Sequence, residues 1–183
     1  MKKKLTLLAL SFAFVFGGGF AFGEDEHPLS TIQGTQIELK YSDHAFAGSI
    51  NGIVAFGYLD EDTFSSELVL RKHGSLIKTI FSKDPATKIF GGQLLSVDTN
   101  GSQRRTLLTV TAIQPKEQKI SLKINEEQIE MLVSADRFEN GHFINPTYST
   151  VYQGQTISYK VEGSACYGVS SHFALMILAA YVH

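Results

Sequence analysis

The feature that most restricts this chain is a period of two, which returns after each cluster of turn residues along the span from Thr35 to Val161. TQIELKY at 35–41 sets Ile37, Leu39 and Tyr41 on one side and Gln36, Glu38 and Lys40 on the other. A half-buried strand demands this pattern, because successive side chains leave opposite faces. GIVAFGYL at 52–59 is apolar on both sides. SSELVLRK, LIKTIF at 76–81, KIFGGQLLSV at 88–97 and RTLLTVTAI at 105–113 come next, then KISLKI at 119–124, IEMLVSA at 129–135, TYSTVY and QTISYKV. Asn100-Gly101 supplies the positive backbone dihedrals of a tight hairpin turn, and Gly91-Gly92 predicts a bulge or bend. Pro28, Pro85, Pro115 and Pro146 all fall between the runs, where a missing N–H costs little. No segment before Gly163 has the pattern of a long amphipathic helix. The expected fold is all-β, an antiparallel β-sandwich or β-barrel of about 8–10 short strands.

The C-terminal segment breaks the pattern. After GSACYGVSS, positions 172–182 are almost wholly apolar. Ser170 or Ser171 would serve as a helix cap and FALMILAAY contains strong helix formers, yet a run apolar on every side gives a helix no solvated face. The segment is read as a buried closing strand, with a short helix plugging one end of a barrel as the alternative.

The N-terminus has the form of an export signal. MKKK is followed by the apolar LTLLALSFAFVF, and Ala21 and Gly23 satisfy the small-residue rule for cleavage before Glu24. The apolar stretch is short for a bilayer span of about 20 residues. The expected organisation is a signal peptide at 1–23, a flexible lead-in at 24–34 and a single β domain at 35–183, with no integral membrane segment after cleavage. An exported location, periplasmic or extracellular, follows. Losing Lys2, Lys3 and Lys4 leaves thirteen basic against eighteen acidic residues, a net charge of −5. Such a domain gains nothing from a phosphate backbone, so nucleic acid is not an expected partner.

Candidate chemistry is sparse. Cys166 is the single cysteine, so no disulfide forms within the chain. As a nucleophile it would need an activating base, and His172 is the nearest histidine. In an extended strand the two would lie roughly 20 Å apart, and a small buried hydrophobe is the plainer role for the thiol. His27, His44, His73, His142, His172 and His183 form no ligand motif; Asp43, His44 and His142 could meet only through the fold. Asp60, Glu61 and Asp62 read as a solvated turn. No metal or cofactor is expected. Phe143, Tyr148, Tyr152 and Tyr159 cluster near the last hairpin. If exposed, they would form an aromatic surface for a protein or a glycan. The functional expectation is therefore an exported, non-enzymatic β-domain with a binding or structural role. A thiol-dependent hydrolase or transferase using Cys166 and His172 is one alternative. A small-molecule carrier, which requires an open apolar barrel, is another.

Overall fold

The computed structural model describes residues 30–182 except 43, 61, 62, 64, 73, 74, 88, 98 and 99. The expected signal peptide, His27, Asp43, Glu61, Asp62, His73 and His183 lie outside the described residues. The strands are β1 (Ser30–Gly34), β2 (Ile37–Ser42), β3 (Ala45–Ile50), β4 (Ile53–Asp60), β5 (Ser65–Lys72), β6 (Ser75–Lys83), β7 (Phe90–Val97) and β8 (Gln103–Gln114). They continue as β9 (Lys119–Ile124), β10 (Glu127–Ser134), β11 (Arg137–Glu139), β12 (His142–Ile144), β13 (Thr147–Tyr152), β14 (Gln155–Val161) and β15 (Ser164–Cys166). Among the described residues there is one α-helix, α1 (Tyr167–Ala179), after β15, and a one-turn 3-10 helix at Pro115–Glu117 between β8 and β9.

Twelve of these strands close into one antiparallel barrel. From β1 to β10 each strand pairs with the next in sequence. The β13–β14 hairpin then fills the gap, with β13 on β10 and β14 on β1. Both of these seams are short: Ile32 to Gly34 against Val161 to Tyr159, and Leu132 to Ser134 against Ser149 to Thr147. Between β10 and β13 the chain leaves the ring as the β11–β12 hairpin, and β15, which follows β14, adds to it to make a small sheet, β11-β12-β15. The all-β, antiparallel expectation holds, resolved as a barrel with more strands than the periodicity alone revealed. Ser30–Gly34, inside the expected lead-in, is itself a barrel strand.

Alternation sets the polarity of the wall. Ile37, Leu39, Leu68, Leu70, Leu94, Leu108, Ile120 and Leu122 point inward and are buried. Glu38, Lys40, Arg71, Lys78, Arg105, Glu130 and Lys160 point out and are exposed. A lipid-facing barrel would place just those positions in hydrocarbon. Among the described residues no helix is long and apolar enough to cross a membrane.

The hairpins at Asn51-Gly52, Asn140-Gly141 and Gln153-Gly154 have both central residues at positive φ, the geometry whose twist matches the flanking strands. Gly91-Gly92 makes no bulge: both stay in register with β6 and β8, and the register shift falls instead at Val110/Ala112. Gly92 is required by close approach, since a Cβ there would stand 1.9 Å from the Ile80 carbonyl oxygen.

The C-terminal segment is a helix inside the barrel, not a closing strand. Every residue from Gly168 to Ala179 is buried, and α1 touches opposite sides of the ring. Phe173 packs on Tyr41 of β2 and Phe46 of β3, while His172 meets Ser66 of β5 and Ser170 meets Tyr148 of β13. The physical reason is hydrogen-bond accounting. In a closed ring each strand already has two partners, so a further strand has nowhere to pair, whereas a helix satisfies its backbone internally. A helix apolar on all sides belongs in a core, and a ring of about eleven strands is wide enough to hold one. The open apolar interior that a small-molecule carrier needs is thus occupied by the chain itself.

Candidate functional site

At the end of the barrel where α1 enters, β15 pairs with β12 and fixes the start of the helix. Cys166 is the N-cap; its Sγ accepts from the Val169 N–H at 3.5 Å, and the free thiol is half-buried. His172 lies six positions on, about 9 Å along the axis and roughly 240° around it. Its Nδ1 is 2.7 Å from Ser66 Oγ, and Phe90 packs edge-on to the ring at 5.4 Å. Helix geometry therefore carries the thiol and the imidazole to different faces. Alkylation of Cys166 in the folded protein is expected to keep its rate within about twofold in His172→Gln. A tenfold drop measured with iodoacetamide would restore the thiol–imidazole pair.

The four aromatics expected as a recognition surface are core. Phe143, Tyr148, Tyr152 and Tyr159 are all buried. Tyr148 and Tyr152 share a face of β13 by parity, but that face is the inner one, with Thr150; Tyr159 is buried opposite Tyr148 on β14, and Phe143 is buried in the small sheet. Tyr148 stacks on Tyr159 at 4.9 Å and donates to Ser170 Oγ at 2.6 Å, while the Tyr159 hydroxyl meets Met131 Sδ at 3.5 Å. Burial pushes both phenols above their ordinary range, most strongly for Tyr159; the Ser170 bond offsets this in part for Tyr148. Below about pH 10 both the folded and unfolded forms keep these protons, so the contribution is complete. Above it the unfolded chain loses them first, and stability falls as pH rises toward the folded values. Phenolate absorbance should show two tyrosines silent until the barrel unfolds, and Tyr159→Phe should reduce the alkaline loss in urea midpoint. Phenolate absorbance from Tyr148 and Tyr159 while the barrel is still folded would contradict this burial.

Two inward hydroxyls, Thr79 Oγ1 and Thr106 Oγ1, have no hydrogen-bond partner. They sit in one register row, on either side of Leu94. Thr79→Val should stabilise the protein by about 1–2 kcal/mol in urea unfolding, because the valine leaves no orphaned hydroxyl. A destabilisation would show that the hydroxyl is engaged.

The exposed aromatic residues lie elsewhere. On the small sheet at the barrel mouth Phe138 is 46% exposed and stacks on Tyr167 with centroids 5.4 Å apart and planes at 24°. Phe143 packs against both from below. Beside them is a cleft of about 180 Å³ whose walls include Pro115, Val133, Ala135 and Phe143, with Gln118 and Arg137 at its edge. Arg137 Nε is 3.0 Å from Glu139 Oε1, and Asp136 accepts from Asn145 Nδ2 at 2.8 Å. A larger depression of about 460 Å³ at the other end, around Gln36, Glu38, Ser49 and Asn51, is open and polar. The Asn140-Gly141 dipeptide is the sequence signal for the hairpin that carries Phe138. His44 lies against Tyr58, and His142 Nδ1 is 3.0 Å from the Asn140 carbonyl oxygen. Among the described residues no cluster of three His, Cys, Asp or Glu side chains has metal-binding geometry.

The fold defines a class: an up-and-down barrel of twelve strands filled by its own C-terminal helix and crowned by a small aromatic-bearing sheet. Comparison with protein-family models, curated proteins and solved structures returns no match for this chain.

Proposed function

We propose that this protein is an exported, non-enzymatic recognition domain that takes an apolar side chain of a partner protein at the mouth of the barrel. The observation that carries this reading is the occupation of the lumen by α1. With the interior filled, recognition falls to the surface, and the mouth is where exposed aromatic area adjoins a cleft. The stacked Phe138 and Tyr167 rings offer rigid apolar area at small conformational cost. A cleft of about 180 Å³ suits one anchor residue rather than a whole ligand, since small-molecule sites run to about 300–1,000 Å³. The thiol and imidazole, separated by the helix, give no nucleophile–base contact to support the catalytic alternative.

The test is an amide-resolved NMR titration with N-acetyl-phenylalaninamide, with an N-acetylglucosamine trimer in parallel. Saturable shifts at Gln118, Ala135 and Phe138, lost in Phe138→Ser, are expected with the first probe. Shifts with the sugar alone would replace the protein partner by a glycan, and no response to either would overturn the site.

A further inference from the structure

The outer wall carries a second surface, independent of the mouth. Along β4 three of the four outward positions are apolar, with Val54 56% exposed, Phe56 40% and Tyr58 48%, and Asp60 ends the row at the edge of the strand. Strand register arranges their neighbours in rows. Ala45, Tyr58, Glu67 and Ile80 form the first, with Ile80 also 56% exposed. Ala47, Phe56, Val69 and Lys78 form the second, and Ser49, Val54 and Arg71 the third. Elsewhere on the wall the exposed apolar side chains stand singly, as at Leu107, Leu132 and Val151, among charged outward residues such as Glu38, Lys40, Glu130 and Lys160.

We infer that this face is an isologous interface with a second copy of the chain. The argument rests on area and on charge. The exposed parts of Val54, Phe56, Tyr58 and Ile80 sum to roughly 400 Å² before Ala45, Ala47 and Val69 are added, within the roughly 300–600 Å² of the largest, often functional, apolar patch of a monomer. One side of a standard interface buries about 800 Å², of which about 450 Å² is apolar. The patch therefore matches what one partner of a modest dimer contributes.

The charges are self-complementary about one particular axis. A two-fold axis lying in the interface along the middle row exchanges the first and third rows. Phe56 and Val69 then meet their own counterparts, and Tyr58 lies over Val54 of the second copy. Glu67 lies over Arg71 of the second copy, and Arg71 over its Glu67, so each contact occurs twice as two-fold symmetry requires. Lys78 approaches its own counterpart, but each Lys78 is already held by Glu67 at 2.9 Å. An axis along the strands would set Lys78 of β6 over Lys40 of β2 and leave Glu67 over Ala45, so the cross-strand axis is the favoured one. Two convex walls meet over a narrow band, which places the expected Kd on the order of 10 µM.

Sedimentation velocity of the chain from Glu24 onward, over about 1 to about 300 µM, reads the association directly. A concentration-dependent monomer–dimer shift is expected. Phe56→Ser, Glu67→Arg and Arg71→Glu should each weaken it at least about tenfold. The double variant Glu67→Arg/Arg71→Glu should associate at least about threefold more tightly than Glu67→Arg alone, because the pair is exchanged on both copies, without regaining the parent affinity, because Lys78 has lost its carboxylate. All three side chains point outward, so the urea midpoint serves as the control for folding. A monomer throughout the range, a dimer indifferent to Phe56→Ser, or a double variant no tighter than Glu67→Arg would each overturn the interface. Ligand titration at the mouth in monomeric Phe56→Ser keeps the outcome for that site separate.

Discussion

A chain that stops at Ser164 is expected to lose its cooperative unfolding transition altogether. Val169, Phe173, Leu175, Met176, Ile177, Leu178 and Tyr181 are all buried in the barrel. Each such side chain contributes about 1.5–3 kcal/mol on burial, and the net stability of a domain is only about 5–15 kcal/mol. Their removal also exposes the inner wall, where Leu39, Leu68, Leu94 and Leu108 would face an empty lumen. The expected product retains β-sheet signal in far-ultraviolet circular dichroism, binds a hydrophobic dye and melts without a sharp midpoint. A truncated chain that unfolds cooperatively in urea at the parent midpoint would show that the barrel stands without its helix.

Within the helix, Phe173→Ala should be the costliest single truncation, at about 3–5 kcal/mol. The ring is fully buried and meets two other rings edge-on, Tyr41 at 5.6 Å and Phe46 at 6.4 Å. These neighbours sit on paired strands of a closed wall and cannot collapse into the space left behind, which is the condition under which the cavity term adds fully to the lost transfer energy. Ser66→Ala tests a different term at the next position. It leaves the His172 Nδ1 without its 2.7 Å partner, with an expected loss of about 1–3 kcal/mol. Both variants are read from urea midpoints at unchanged slope. A loss below about 1 kcal/mol for Phe173→Ala would mean that the lumen repacks around the gap.

Much of the wall was legible before any coordinates. KISLKI at 119–124 is β9 to the residue, and IELKYS, IVAFGYLD and QTISYKV fall where alternation placed strands. AFAGSI was not, because β3 is built of small residues with little strand preference; only the flanking Asn51-Gly52 turn marks it. Closure was not legible either. It rests on the pairing of Ile32 with Val161, and no local pattern encodes which distant strands meet. The helix was hidden for the opposite reason: FALMILAAY is apolar at every position, so it has no period to read. For Tyr148 and Tyr152 alternation gave a common face, but which face turns inward depends on the closed ring. Phe138 was overlooked because three-residue strands fall below the length at which alternation can be seen.

The location of the plug also sets a timetable. The residues that fill the core follow every strand of the ring in the chain, and the ring shuts only when β14 reaches β1, with Ile32 and Val161 lying 129 positions apart in the chain. A topology so dominated by distant partners folds slowly, and no partial chain emerging in order has both a closed wall and a filled lumen. Completion then becomes a single late event, in which hairpin and helix arrive together as one contiguous C-terminal unit.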